Sequence, residues 1–479
     1  MAPSQVIKDL QQALPDSRFV LQGAEDYDDL NKVYQSALNV EIRPSCIFLP
    51  KSKEEISAFL KHVGPHALSG EVSLAIYGAG CQPLPGCANV QDGITVNLSF
   101  LKGLAIEEGR VSIAAGERWG TVYEELGKKG LGVAGGRSAK SGIGGLALEG
   151  GLSFHSSRDG FVCDSVLNYE VVLASGEIVN ANGKENADLF RALRGGGNNF
   201  GIVTRYDFPT FEQGPMYGGS VYYFAPSFPE QIQHLVDELQ KPDASKDTHL
   251  MVSTGYAAMF GPQMMCQNQL YHNSPEENPA VLRPFTSVSP QLDQLNSMRV
   301  LSLAEAAKEQ AGDSPVIQRS AYFNTTLKAD ASILQEAAEI YTAGLEPIKP
   351  CEGLICSLTL QPHARSLLEA SAAQGGNSLG LSPADGPLVS VLLLTYWSNQ
   401  RDDAAVLETM ESILGSIKSR AAARDQLVPY TYMNYAFTSQ DPIGSYGAEN
   451  KAELQRVSKR YDPQGLFQKG VPGGFKLFP

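Results

Sequence analysis

Two stretches of the 479-residue chain gather glycine so that backbone amides, rather than side chains, are placed to bind an anion. The first, Gly78-Ala-Gly-Cys-Gln-Pro-Leu-Pro-Gly86, directly follows Ser73-Leu-Ala-Ile-Tyr77, a segment that reads as a short strand. The second runs Gly135-Gly-Arg-Ser-Ala-Lys-Ser-Gly-Ile-Gly-Gly-Leu-Ala-Leu-Glu-Gly-Gly151. With no side chain in the way, consecutive N–H groups can turn inward around a charged ligand. A diphosphate needs several such donors, and two opposed loops supply them. Within the second loop, Gly142-Ile-Gly-Gly-Leu-Ala147 fits the spacing of the Rossmann dinucleotide fingerprint. That fingerprint should open a helix of about ten residues or more, and Gly150-Gly151 interrupts one almost at once, so the Rossmann reading is rejected.

Other chemistries lack their residues. The seven histidines (62, 66, 155, 234, 249, 272, 363) show no HExxH or HxH spacing, and no cysteine pairs complete a zinc set, so no metal site is expected. No G-x-S-x-G elbow marks a serine hydrolase. The seven cysteines are odd in number and unevenly spaced, which points to packed thiols rather than a disulfide framework. A formal charge of −14 disfavours nucleic acid and anionic membrane as partners, because both would repel it. No apolar run reaches the roughly 18 residues of a membrane span. No basic start leads into an apolar segment, so no secretory signal is visible and a cytoplasmic location is expected.

The elements that must hold the loops follow from periodicity. Ser52-Lys-Glu-Glu55 is a capping box opening a helix to about His62. Thr121-Val-Tyr-Glu124 opens another, closed by Gly127 or Gly130. Residues 169–179 read as two strands around a Ser175-Gly176 turn, and Asp188 caps a short helix that ends at Gly195-Gly-Gly197, before a strand at 201–208. From Tyr217 the texture changes: a strand at 217–224, a helix at about 227–240, and strands near 249–258 and 266–272. A second set comprises a helix at 330–343, the apolar strand Leu388–Trp397 and a helix at 402–422. Two cycles of this kind predict an α+β layer, one mixed or antiparallel sheet with helices on a single face. After about residue 424 the glycine- and tyrosine-rich texture returns, so the C-terminal segment is expected to rejoin the first domain. At this length two domains are the default.

Several segments, in order and spanning nearly the whole chain, resemble the berberine-bridge-enzyme-like branch of the vanillyl-alcohol-oxidase (PCMH-type) flavoproteins. They are Arg43-Pro-Ser-Cys-Ile-Phe-Leu-Pro50, the strand and loop at 74–90, Gly142-Ile-Gly-Gly145, Gly160-Phe-Val-Cys-Asp164 through Glu177, Leu189-Phe-Arg-Ala-Leu-Arg-Gly-Gly-Gly-Asn-Asn-Phe-Gly-Ile-Val-Thr204, and Tyr461-Asp-Pro-Gln-Gly-Leu-Phe467. The resemblance implies a PCMH-type FAD-binding domain at 1–212 completed by 424–479, with a substrate domain at 213–423 over the isoalloxazine ring. It implies that backbone groups of Gly78, Ala79, Gly80, Cys81 and Gln82, and of Ser141, Gly142 and on to Gly145, hold the diphosphate. Ile202 and Val203 would lie beside the adenine, and Asn434 and Tyr435 would approach the flavin. Tyr396, at the end of its strand, would lie over the ring. Tyr396, Tyr435 and His155 are then the candidate acids or bases, since a phenol or imidazole can move a proton while hydride leaves the substrate.

The chain departs from the family at positions that matter for chemistry. The family commonly attaches FAD through the histidine of an Arg-Gly-Gly-Gly-His loop, and here the same positions read Tyr77-Gly-Ala-Gly-Cys81. A further linking cysteine of bicovalent members is Ser138. FAD is therefore expected to be held non-covalently. Glu149 replaces the first glycine of a Gly-Gly-Gly stretch and would repel a diphosphate unless it points away or pairs with Arg137, Lys140 or Arg158. The function implied is oxidation of a small organic molecule of specialised metabolism, with hydride passing to flavin N5 and electrons to dioxygen. The alternative is a redox-neutral isomerase or cyclase on the same scaffold, with FAD structural or absent.

Overall fold

Ser52 accepts the Glu55 amide at 3.2 Å and starts the helix Lys53–Leu68. The helix passes the expected end near His62 because Val63 and Ala67 continue its buried face. The second helix, Trp119–Gly127, starts before Thr121 because Trp119 is itself fully buried beneath the second glycine loop. Asn186, in left-handed conformation, holds the N-cap expected of Asp188. Asp188 instead sits in the first turn and accepts from Tyr461 at 2.8 Å and Arg460 at 2.8 Å, tying this helix to the C-terminal segment. The computed structural model describes residues 5–312 and 316–478.

The architecture is α+β. A four-stranded mixed sheet runs in the order Arg18–Leu21, Cys46–Leu49, Ile94–Asn97, Leu74–Tyr77, with the last three strands parallel. Beside it, an antiparallel sheet of Leu104–Glu107, Arg110–Ala114, Ile202–Pro209, Asn168–Val172 and Ile178–Asn182 carries the segment after the glycine-rich 195–201 turn. These elements share one hydrophobic core with Leu454, Val457, Leu466, Phe467 and Leu477 from the C-terminal segment.

An eight-stranded sheet fills the second half, in the order Arg299–Leu301, Met216–Phe224, Met265–His272, Thr248–Ala257, Ile355–His363, Leu388–Trp397, Arg319–Lys328, Leu427–Val428. Every pairing in it is antiparallel. The helices Phe228–Gln240, Ala331–Gly344 and Asp403–Ala423 pack on one face, where Leu235, Ile333 and Ile413 meet Val252, Leu358, Val391 and Leu393 in a second core. Side chains alternate along a strand, so Leu392, Leu394 and Tyr396 of Leu388–Trp397 fall on the opposite face. The strand Ile355–His363 sets Cys356, Leu358 and Leu360 of the second core against Ser357, Thr359 and Gln361, but Arg319–Lys328 gives no such alternation in sequence. Asn324, Thr325 and Thr326 are buried polar residues, which hides the strand from a search for apolar periodicity.

One buried cation joins the two halves. The side chain of Arg319, 6% exposed, pairs with Asp403 on the long helix and with Glu41 of the first half. Asp403 also accepts the Trp397 indole N–H at 2.7 Å. Removing one partner of a buried pair leaves the other charge uncompensated. Arg319→Met is therefore expected to destabilise the protein by about 3 kcal/mol in thermal or denaturant unfolding. Glu41→Gln, at a carboxylate that is half-exposed, is expected to cost under about 1 kcal/mol.

Candidate active site

The two glycine loops meet. A methyl group added to Gly142 would come within 2.5 Å of the Ala79 Cβ, so the second loop lies directly against the first only because residue 142 has no side chain. The same economy sets the loop on its support: a Cβ at Gly135 would strike the Trp119 ring at 2.2 Å. Trp119 and Gly120 donate their amides to the carbonyls of Ser141 and Ala139, each at 3.0 Å, fixing the second loop to the helix. Arg118 then spans the junction, its guanidinium donating to the carbonyls of Lys140 and Ala79 and to the Tyr77 hydroxyl. The first loop leaves the carboxyl end of the parallel strand Leu74–Tyr77, where α/β sheets commonly open a ligand crevice.

From this junction a cavity of about 970 Å³ extends between the two halves. Gly78, Ala79, Gly80, Cys81, Gln82, Ser141, Gly142 and Gly145 line one end, together with Ile202 and Val203 from the strand Ile202–Pro209. Asn434 and Tyr435 line it from the C-terminal segment, and Tyr396 from the second sheet. The structure thus brings together every candidate residue except His155. That imidazole lies outside the cavity lining, fully buried against Phe211, with Nε2 at 2.8 Å from the Gln213 amide oxygen. Burial first, and Arg158 second, push its pKa down to about 4. His155 is a neutral packing residue, and the expectation that it approaches the flavin side is corrected.

The residues at the loop end fit FAD. Ligand sites commonly enclose about 300–1,000 Å³, and this cavity lies at the upper end of that range. Open space faces Gly78 and Gly145, where an added Cβ would meet nothing within 4 Å. Arg118 and Lys140 supply positive charge beside the loops. Glu149 also lines this region, but it pairs with none of the three cations expected of it. Arg137 turns to Tyr435 and Gln361, Lys140 to the Gly312 carbonyl, and Arg158 to Asp159. Among the described residues Glu149 receives only the Gln82 amide, at 3.3 Å, and burial pushes its carboxyl up to about 8. A carboxyl that keeps its proton at neutral pH carries no charge to repel a diphosphate. The repulsion expected from sequence is removed by burial instead of by an ion pair.

The other end is built of phenols, one guanidinium and one amide. Arg137 donates to Gln361 Oε1 at 2.8 Å, to His249 Nε2 at 3.0 Å and to the Tyr435 hydroxyl. The hydroxyls of Tyr322 and Tyr396 are 2.8 Å apart, and the Tyr322 and Tyr435 rings meet edge-on at 6.1 Å. Burial raises the pKa of both Tyr322 and Tyr396, so this pair stays protonated. The Tyr435 segment is pinned on both sides: Asn324 holds the Tyr432 amide at 2.8 Å, and Asn434 accepts the Gly151 amide at 3.1 Å. Sequence reasoning missed Tyr322, Gln361 and Arg137 as members of this end. Tyr322 lies on a strand without alternation, whereas the alternating strand of Gln361 and the cation Arg137 in the second glycine loop were legible.

Comparison with known proteins agrees with this geometry. A family model described as an FAD binding domain matches residues 44–182. The chain is 36% identical over 464 residues to the FAD-dependent monooxygenase FUP4 of Fusarium proliferatum, covering 94% of this chain and 88% of that protein. It is also 36% identical over 446 residues to the FAD-dependent monooxygenase tpcD of Cochliobolus heterostrophus, covering 91% and 85%. In fold it is similar to the glucooligosaccharide oxidase of Acremonium strictum, with a TM-score of 0.80 at 19% identity over 100% of this chain and 99% of that one. The 6-hydroxy-D-nicotine oxidase of Arthrobacter nicotinovorans gives a TM-score of 0.76 at 19% identity over 94% and 96%. The chain belongs to this family of FAD-dependent oxidoreductases.

Glu149 sets a pH dependence whose sign follows from its shift. Its carboxyl ordinarily ionises near 4.5 and in the folded protein near 8, so between those values the native state holds a proton that the unfolded chain has lost. Stability then falls as pH rises through this window. Melting temperatures taken from pH 5 to 8 are expected to decline more steeply for the wild type than for Glu149→Gln, and parallel curves would refute the assignment.

Proposed function

We propose that this FAD-dependent oxidoreductase oxidises a small organic substrate at a C–H bond next to oxygen or nitrogen, with dioxygen as the final electron acceptor. The observation that carries the reading is the continuity of one cavity from the paired glycine loops to the Tyr435–Arg137–Gln361 cluster. The residues of the two glycine loops would hold FAD, which would supply a two-electron acceptor for hydride from the substrate carbon. The chain's own residues handle position and protons. Of the neutral, mutually hydrogen-bonded hydroxyls of Tyr322 and Tyr396, one spends its proton on the other, which leaves one donor to orient a substrate oxygen against the second sheet. The Tyr435 hydroxyl relays the proton released from that oxygen or nitrogen as the new double bond forms: its oxygen takes that proton and gives up its own to water, so the phenol stays neutral. Arg137 donates to the Tyr435 oxygen and presents a fixed positive charge to it. Leu392, Leu394, Ile355 and Met251 keep the substrate end apolar and limit water.

The same residues support non-covalent attachment. A thioether at the flavin requires a thiolate. The Cys81 thiol is pushed up by burial, and its Sγ faces the carbonyls of Lys140 at 3.4 Å and Ala79 at 3.5 Å. Ser138, at the other linking position, has no thiol at all.

Acid precipitation of the purified yellow protein is expected to release all flavin into the supernatant; colour retained in the pellet would overturn the non-covalent reading. Product mass tests the reaction. Loss of two hydrogens supports oxidation, gain of one oxygen matches what the names of the fungal relatives state, and an unchanged mass would make the enzyme redox-neutral. Tyr435→Phe is expected to lower kcat by about a hundredfold or more with flavin content unchanged.

A further inference from the structure

The cavity's cations divide by position. Arg118 and Lys140 stand by the glycine loops, but Arg137 reaches across to the second sheet, where it meets His249, Met251 and Gln361. Every partner it has there is neutral. Among the described residues no carboxylate lies within 4.0 Å of its guanidinium. His249 and His363 are kept uncharged by burial first and by Arg137 second, so neither changes this balance.

A guanidinium carries five N–H donors. Among the described residues Nη1 serves His249, Met251 and Gln361, Nη2 serves Tyr435, and Nε serves nothing. The Nε–Nη2 edge, the one that grips a carboxylate in two-point fashion, therefore keeps donors for a ligand. Gln361 points the same way: its Oε1 accepts from Arg137 and from Tyr435 at 3.3 Å, which leaves its Nε2 as a further donor. A cluster with a net positive charge and donors to spare, walled by Met251, Ile355, Leu392 and Leu394, is unfavourable while empty and favourable with an anion in place.

Resting on the oxidoreductase reading above, we propose that Arg137 and Gln361 bind an anionic oxygen of the substrate, so that the substrate class is an acid: an apolar ring body bearing a carboxylate or an ionised phenol. The apolar body lies on Leu392, Leu394 and Ile355, and the anionic oxygen sets which of its carbons faces the flavin.

The test uses the holoenzyme with two flat probes of equal shape, benzoate and benzamide, titrated by perturbation of the flavin spectrum and by calorimetry. Wild-type protein is expected to bind benzoate about tenfold or more tightly than benzamide, the range of a charge-assisted hydrogen bond. Arg137→Met should abolish that preference while benzamide binding holds, and Arg137→Lys should restore part of it. Equal affinity of the two probes for the wild type would overturn the proposal without any variant. A preference that survives in Arg137→Met would overturn it too, and would leave Arg137 acting only on the Tyr435 hydroxyl. The starting absorption spectrum keeps the two readings apart: absence of bound flavin sinks the oxidoreductase reading, whereas a yellow protein blind to the probe's charge sinks only this one.

Discussion

The direct packing of one glycine loop on the other is the constraint from which the site follows. Gly142 lies against Ala79, closer than any side chain would permit, and Arg118 ties the carbonyls of both loops together. This contact points two rows of backbone groups into one cavity and sets where that cavity begins. It depends in turn on Trp119, whose buried ring supports Gly135 and Gly136 from below. A side chain at any of these positions would separate the loops by the width of a methyl group or more, and the donors would no longer converge on one ligand.

Charge is distributed along the cavity with the same economy. Cations stand at the loop end, where a diphosphate needs them, and Glu149, the one carboxyl lining the cavity among the described residues, is buried until it holds its proton. At the far end Arg137 is surrounded by neutral acceptors, and the phenols of Tyr322 and Tyr396 hydrogen-bond each other while keeping their protons. A cavity with positive potential at both ends and, among the described residues, no ionised acid between them suits an anionic cofactor and favours electron-rich ligands.

The second sheet does two jobs because its strands alternate. Val391 and Leu393 lock into the helix layer, while Leu392, Leu394 and Tyr396 of the same strand form the cavity wall. Wall and core are thereby built from one rigid element, so the substrate-facing groups have little freedom to drift. The C-terminal segment closes the cavity from the opposite side, held to the second sheet through Asn324 and to the second glycine loop through Asn434.

Much of this was written into the chain itself. Local glycine spacing marked both loops, the Ser52 cap and the apolar run Leu388–Trp397 marked their elements, and the broken helix after Gly144 excluded a Rossmann unit, since the helix there runs only from Gly144 to Leu148. These are short-range properties: a turn, a cap or a period is decided by neighbours in sequence. Tyr322 was hidden because its strand buries polar residues on both sides and shows no period, whereas the strand of Gln361 alternates and was legible. The state of Glu149, the neutrality of His155 and the exposure of the Arg137 edge were illegible for a different reason. Each depends on which groups lie nearby across the fold and on how much water is excluded, and only tertiary packing fixes those distances.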